Sequence, residues 1–129
     1  MNTNNVISAP VASDLSQGTL EHSVVKMTST GIALCDSASV PVGTLLRANM
    51  APALGQSAVG FACDVFVGSK YVHFAQLGAT SAALASGAAL YLDSANPGQL
   101  VPSGGTIVAY AWEAAPVTFQ GAIIRVLFL

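Results

Sequence analysis

Turn-forming residues recur so often along this chain that a long helix finds no room between them. The signals are Ser29-Thr30-Gly31, Asp36-Ser37, Pro41-Val42-Gly43, Pro52 with Gly55, Gly68-Ser69, Gly78, Ser86-Gly87, Asn96-Pro97-Gly98, Ser103-Gly104-Gly105 and Gly121. Turns at spacings of about 8–12 residues suit short strands. The segments between them are short and often β-branched or aromatic. They predict strands at His22–Thr28, Ile32–Cys35, Thr44–Ala48, Ala58–Phe66, Tyr71–Gln76, Ala89–Asp93, Gln99–Val101, Thr106–Trp112 and Val117–Leu129.

The clearest turn is Asn96-Pro97-Gly98. Proline presets φ near −65° at the first central position, and glycine supplies the positive φ that a type II turn needs at the second. It predicts a β-meander running from Ala88–Asp93 through Leu100-Val101 to Thr106–Trp112. In the last strand Phe119, Gly121, Ile123, Arg125 and Leu127 share one face, and Gln120, Ala122, Ile124, Val126 and Phe128 share the other. Both faces are largely apolar, so this strand is expected either inside a closed barrel or under a neighbour. In Tyr71–Leu77, Tyr71, His73, Ala75 and Leu77 alternate with Val72, Phe74 and Gln76.

One short helix is allowed, in the Ala-rich stretch 78–90 or around Met50–Ala53. Glycine and proline count against anything longer. Residues 1–19 are polar, turn-rich and without a period, and read as an extended arm. Val6, Ile7 and Pro10 are its early apolar anchors. Such an arm either frays or orders on a partner. The expected architecture is all-β: a small β-barrel or β-sandwich spanning 20–129, with an extended N-terminal arm over 1–19 and at most one short helix.

Charge is the second constraint. Charged residues are 8% of the 129, against about 25% in an ordinary soluble domain. Either the 22 alanines merely inflate the apolar fraction, or much of the surface is covered by other subunits. Obligate interfaces resemble cores cut in half and are poor in charge at their centres. The net charge is −2 with no basic cluster, which argues against nucleic-acid binding. No apolar run reaches the ~18 residues of a membrane span. The N-terminus has no basic and apolar leader pattern, so synthesis in the cytoplasm is expected.

Chemistry is sparse. His22 and His73 fit no metal-ligand spacing, so no metal or cofactor is expected. Cys35 and Cys63 lie outside any CxxC motif and read as small buried hydrophobes. Asp36, Asp64 and Asp93 stand beside turns, where aspartate usually accepts from backbone N–H groups. Neither a Walker lysine nor a GxSxG elbow is present. No enzymatic activity is expected.

The pattern L-A-S-G-A-A-L-Y-L-D-S…P-G-Q-L-V…G-G-T-I-V-A-Y-A over residues 84–111, echoed by V-P-V-G-T-L-L-R-A…A-V-G-F-A-C-D over 40–64, resembles capsid decoration, or head cement, proteins of tailed bacteriophages. The likeness covers about two thirds of the chain and consists of turn-and-strand grammar. It implies a small β-rich domain, often trimeric, that stabilises contacts between major capsid subunits on the outer surface of the virion. Val6, Ile7 and Pro10 are the expected capsid contacts. Trp112, with Phe119, Ile123 and Phe128 of the last strand, is expected at the subunit contact. The alternative is a tail or fibre module that binds a host glycan through Tyr71, Tyr91, Tyr110 and Trp112.

Overall fold

The computed structural model describes residues 5–47, 57, 59–68, 70–117 and 119–129. Among the described residues, ten strands form two sheets that lie against each other. The first holds β1 (Val6–Pro10), β2 (Val24–Thr28), β3 (Gly31–Leu34), β4 (Gly43–Arg47) and β5 (Ala62–Val67), in the order β1-β5-β4-β2-β3. The second holds β6 (Val72–Leu77), β7 (Ala89–Leu92), β8 (Leu100–Val101), β9 (Ile107–Ala111) and β10 (Ala122–Phe128), closed into a barrel in the order β10-β6-β8-β7-β9. The protein is all-β, as the turn spacing predicts.

The arm segment is extended, and it lies on the chain's own body. β1 pairs antiparallel with β5 from Val6↔Phe66 to Pro10↔Ala62. Just past it, Val11 bridges Ile32 of β3, and the Ala12 N–H donates to Ile32 O at 2.8 Å. The first sheet therefore curls until its two edges meet. Gly31 makes the meeting possible. Its φ is +133°, and a Cβ there would fall 2.3 Å from the Pro10 carbonyl oxygen. Ala9, Val11 and Leu15 are buried inside this curl, with Val25, Ile32, Leu45, Cys63 and Val65.

The second core fills the barrel, with Leu77, Leu90, Leu100, Ala109, Val126 and Phe128 among its residues. β2 is the wall between the two cores. Successive side chains of a strand point to opposite faces, so Val24 joins the barrel cluster while Val25 joins the other. The Asn96-Pro97-Gly98 turn locks the halves together. Gln99 N–H donates to Asn96 O at 3.3 Å, and Gly98 has φ +86°, the geometry of a type II turn. Gly98 then donates to Cys35 O and accepts from Val24 N–H, each at 2.8 Å. A Cβ on Gly98 would meet Ser23 Cβ at 3.0 Å.

Three expectations need correction. β7–β8–β9 is not a meander: β7 pairs with both β8 and β9, and β8 pairs parallel with β6 through Leu77↔Leu100. The outer side of β8 is taken by β6, so the chain crosses to the free edge of β7 before pairing again. The stretch 78–90 contains no helix; Leu84 instead bridges Ala115, with both backbone N–H groups engaged. Among the described residues a 3-10 turn occurs at Gly18–Leu20, and Met50–Ala53 lies outside them. The last strand begins at Ala122 rather than Val117. Gly121 sits at φ +89° and Ala122 N–H closes a turn on Phe119 O. No helix among the described residues is long and apolar enough to cross a membrane.

Candidate interaction face

β10 is central in the barrel, between β6 and β9. Its inward residues Ile124, Val126 and Phe128 are buried, so its outward residues and their cross-strand neighbours form one surface. The register orders that surface into rows. Val72 lies opposite Leu127, and Leu127 opposite Tyr110. Phe74 lies opposite Arg125. Trp112 follows on the other side, its N–H donating to Arg125 O at 3.0 Å. Ile123 extends the face along β10. Phe74 is 56% exposed, Trp112 50% and Ile123 49%.

One charge sits in the middle of this face, and it is neutralised in place. The Arg125 guanidinium donates to Glu113 Oε2 through Nε at 3.2 Å and Nη2 at 2.9 Å. The same carboxylate accepts the Arg125 backbone N–H at 3.0 Å through Oε1. These hydrogen bonds hold the Glu113 carboxyl below its ordinary range. The face is thus apolar with no net charge. Large apolar side chains on one continuous strand surface are the usual mark of an interaction site, and Trp is enriched among residues that dominate binding.

Among the residues expected at a subunit contact, Trp112 and Ile123 lie on this face. Phe119 is 77% exposed in the turn that leads into β10. Phe128 is turned inward: it is 5% exposed and packs edge-on against His73 at 4.8 Å between ring centroids. The parity of β10 places it there, two residues beyond Val126 on the buried side. Tyr110, read from the sequence as a possible glycan contact, belongs to the face, as do Phe74 and Val72, to which sequence reading assigns no contact role. Their signal was the alternation of β6, which sets Val72 and Phe74 opposite the buried His73 and Ala75. On β1, Val6 and Pro10 are exposed, while Ile7 packs against the first core. Tyr71 is exposed, Tyr91 and Tyr110 half-buried. Tyr110 and Trp112 flank a shallow groove with Ser86 and Leu127.

The titratable groups are committed to structure. His73 is buried between the sheets. Its Nε2 lies 3.0 Å from Gly68 O, an acceptor, so Nε2 carries the proton and Nδ1 accepts from Thr44 Oγ1 at 2.9 Å. Burial pushes its pKa down, against the smaller raising effect of the Gly68 carbonyl. Cys35 and Cys63 are free and buried in different cores. Burial pushes the Cys35 thiol up to about 12, well away from a nucleophilic thiolate. Asp36 accepts from the Ala38 N–H at 3.1 Å and Asp93 from the Ala95 N–H at 2.9 Å, the turn role expected of them. Asp64 faces Arg47 at 3.9 Å instead. Among the described residues no three His, Cys, Asp or Glu side chains gather as a metal site.

No protein-family model and no curated protein matches the sequence.

Proposed function

We propose that this chain is a structural protein of a virus particle, a decoration protein seated on the outer surface of an icosahedral phage head. There it stabilises contacts between major capsid subunits. The observation that carries the reading is the outward face of β6, β9 and β10. It sets Phe74, Trp112, Ile123 and Leu127 around an ion pair that neutralises itself. In a chain with so few charges, such a face favours cover by a second copy, and a trimer is the favoured assembly. Val6 and Pro10, on the outer side of β1, are the contacts offered to the capsid. Ile7 supports them from beneath. The mechanism is clamping: each contact is modest, but several held at fixed spacing by the lattice act together, as linked binding events do.

Co-sedimentation of the folded protein with phage capsids tests the reading. The expected result is saturable binding to the capsid exterior and a higher temperature of shell rupture. A folded protein that stays in the supernatant of every capsid overturns it. Saturable binding of the isolated protein to a host glycan, without capsid binding, would replace it with the fibre-module reading.

A further inference from the structure

A cleft of about 580 Å³ opens where the 19–23 segment passes over the barrel, beside Ile123. Its walls include Glu21, His22, Gln76, Pro97, Gln99 and Gln120. Two chains of side-chain amides end in it, and chemistry fixes how each is turned. Gln76 Nε2 donates to the carbonyl oxygens of Thr19 and Glu21, the latter at 2.7 Å. Carbonyls only accept, so Gln76 must present Oε1 on its other side, where Gln99 Nε2 donates to it at 3.2 Å. That leaves Gln99 Oε1 buried and without a partner. Gln99 itself is only 9% exposed. In the second chain Asn96 Nδ2 donates to the Asp93 carboxylate at 3.0 Å. Asn96 Oδ1 then accepts from Gln120 Nε2 at 2.7 Å, which leaves the Gln120 oxygen as the terminal acceptor.

Four backbone donors around the cleft are already used. His22 N–H donates to Leu45 O, Ser23 N–H to Leu20 O, Gly121 N–H to Leu77 O and Gln99 N–H to Asn96 O. Pro97 has no N–H. His22 Nδ1 is a second buried atom without a partner. Glu21 adds a carboxylate at the exposed rim, and no Lys or Arg is among the described lining residues. Leaving a buried acceptor unpaired costs about 1–3 kcal/mol. A group that donates and carries positive charge fits the unpaired Gln99 oxygen, the terminal Gln120 oxygen and the Glu21 carboxylate. Guanidinium, with five N–H donors and no acceptor, is that group.

We propose that this cleft receives the guanidinium of an arginine side chain presented by another protein. The cleft borders the apolar face, sharing Ile123 with it, but the proposal does not depend on the capsid reading. Titration of the full chain with Nα-acetyl-arginine methylamide, followed by NMR at the side-chain amides of Gln99 and Gln120, tests it. Saturable millimolar shifts are expected, with much weaker ones from the citrulline analogue, which keeps N–H donors but carries no charge. Gln99→Leu should abolish the shifts. Glu21→Gln, at the exposed rim and no threat to folding, should weaken binding by about threefold, the scale of one exposed ion pair. Equal shifts from citrulline or from glucose, or no saturation with arginine, overturn the proposal. Free L-arginine binding tenfold tighter than the blocked form would overturn the side-chain source in favour of the free amino acid.

Discussion

Thr44 of the first sheet donates its hydroxyl proton to Nδ1 of His73 in the barrel at 2.9 Å, tying the two halves through a neutral imidazole. The ring also packs edge-on with Phe66 at 4.5 Å and with Phe128 at 4.8 Å between ring centroids. A protonated ring would lose the Thr44 hydrogen bond and place a charge between two aromatic residues.

The pH dependence follows from that geometry. Burial sets the folded-state pKa of His73 below its ordinary value, so the unfolded chain takes up the proton first. The stability contribution is whole above the unfolded pKa of about 6.5 and declines as pH falls from there toward the folded value. Urea unfolding at pH 7.5 and pH 5.5 should show the loss. In His73→Gln the His73 part of that drop should vanish. His73→Ala should cost about 2–4 kcal/mol at pH 7.5, through a cavity and an unpaired Thr44 hydroxyl.

Gly31→Ala tests the closure of the first sheet. Its methyl would press on the Pro10 backbone from a residue at positive φ. Both the clash and the strain oppose the Val11–Ile32 bridge. The expected cost is about 3 kcal/mol or more, on the upper side of single substitutions. Hydrogen exchange should rise at the Ala12 amide, while the Lys70 amide, bonded to Phe128 O in the barrel, keeps its protection relative to global unfolding.

Phe128 and Phe119 should separate cleanly. Phe128→Ala empties part of the barrel core and should lower stability by about 3–5 kcal/mol. Phe119→Ala removes an exposed ring in a turn and should stay within about 0.5 kcal/mol. Chemical denaturation of the two variants checks both values.

The apolar face yields an assembly prediction. Phe74→Ser with Trp112→Ser should leave the thermal unfolding midpoint of the monomer nearly unchanged, because both rings are half exposed. The same pair should abolish self-association in sedimentation velocity. Burying a full aromatic side chain contributes about 1.5–3 kcal/mol, so losing two lowers an association constant at least tenfold. Glu113→Gln should also weaken association, by leaving the Arg125 charge uncompensated in the face.

Much of the fold was legible because turns are local chemistry. Asn96-Pro97-Gly98 carries its own dihedral preferences, and the turn forms as expected. The alternation in β10 carries its own parity, and the expected place within a closed barrel is the one it takes. The arm was harder. Val6–Pro10 is short, sits in a polar stretch and ends on a proline, so it does not announce a strand; it becomes one because β5 offers a free edge. Phe128 shows the limit at a site: its strand face was readable, but which face turned inward depended on the partners of that strand.

Strand positions, the type II turn and the near absence of ionic chemistry were properties of short stretches of residues, since dihedral preference and side-chain charge act over a few bonds. Strand order, the exchange of a meander for a β8 wedged between β6 and β7, the shared wall at β2 and the meeting of two glutamine chains in one cleft were decided only in three dimensions. Each joins residues far apart in the chain, and the joining depends on which edges remain unpaired when the barrel closes, something no local preference encodes.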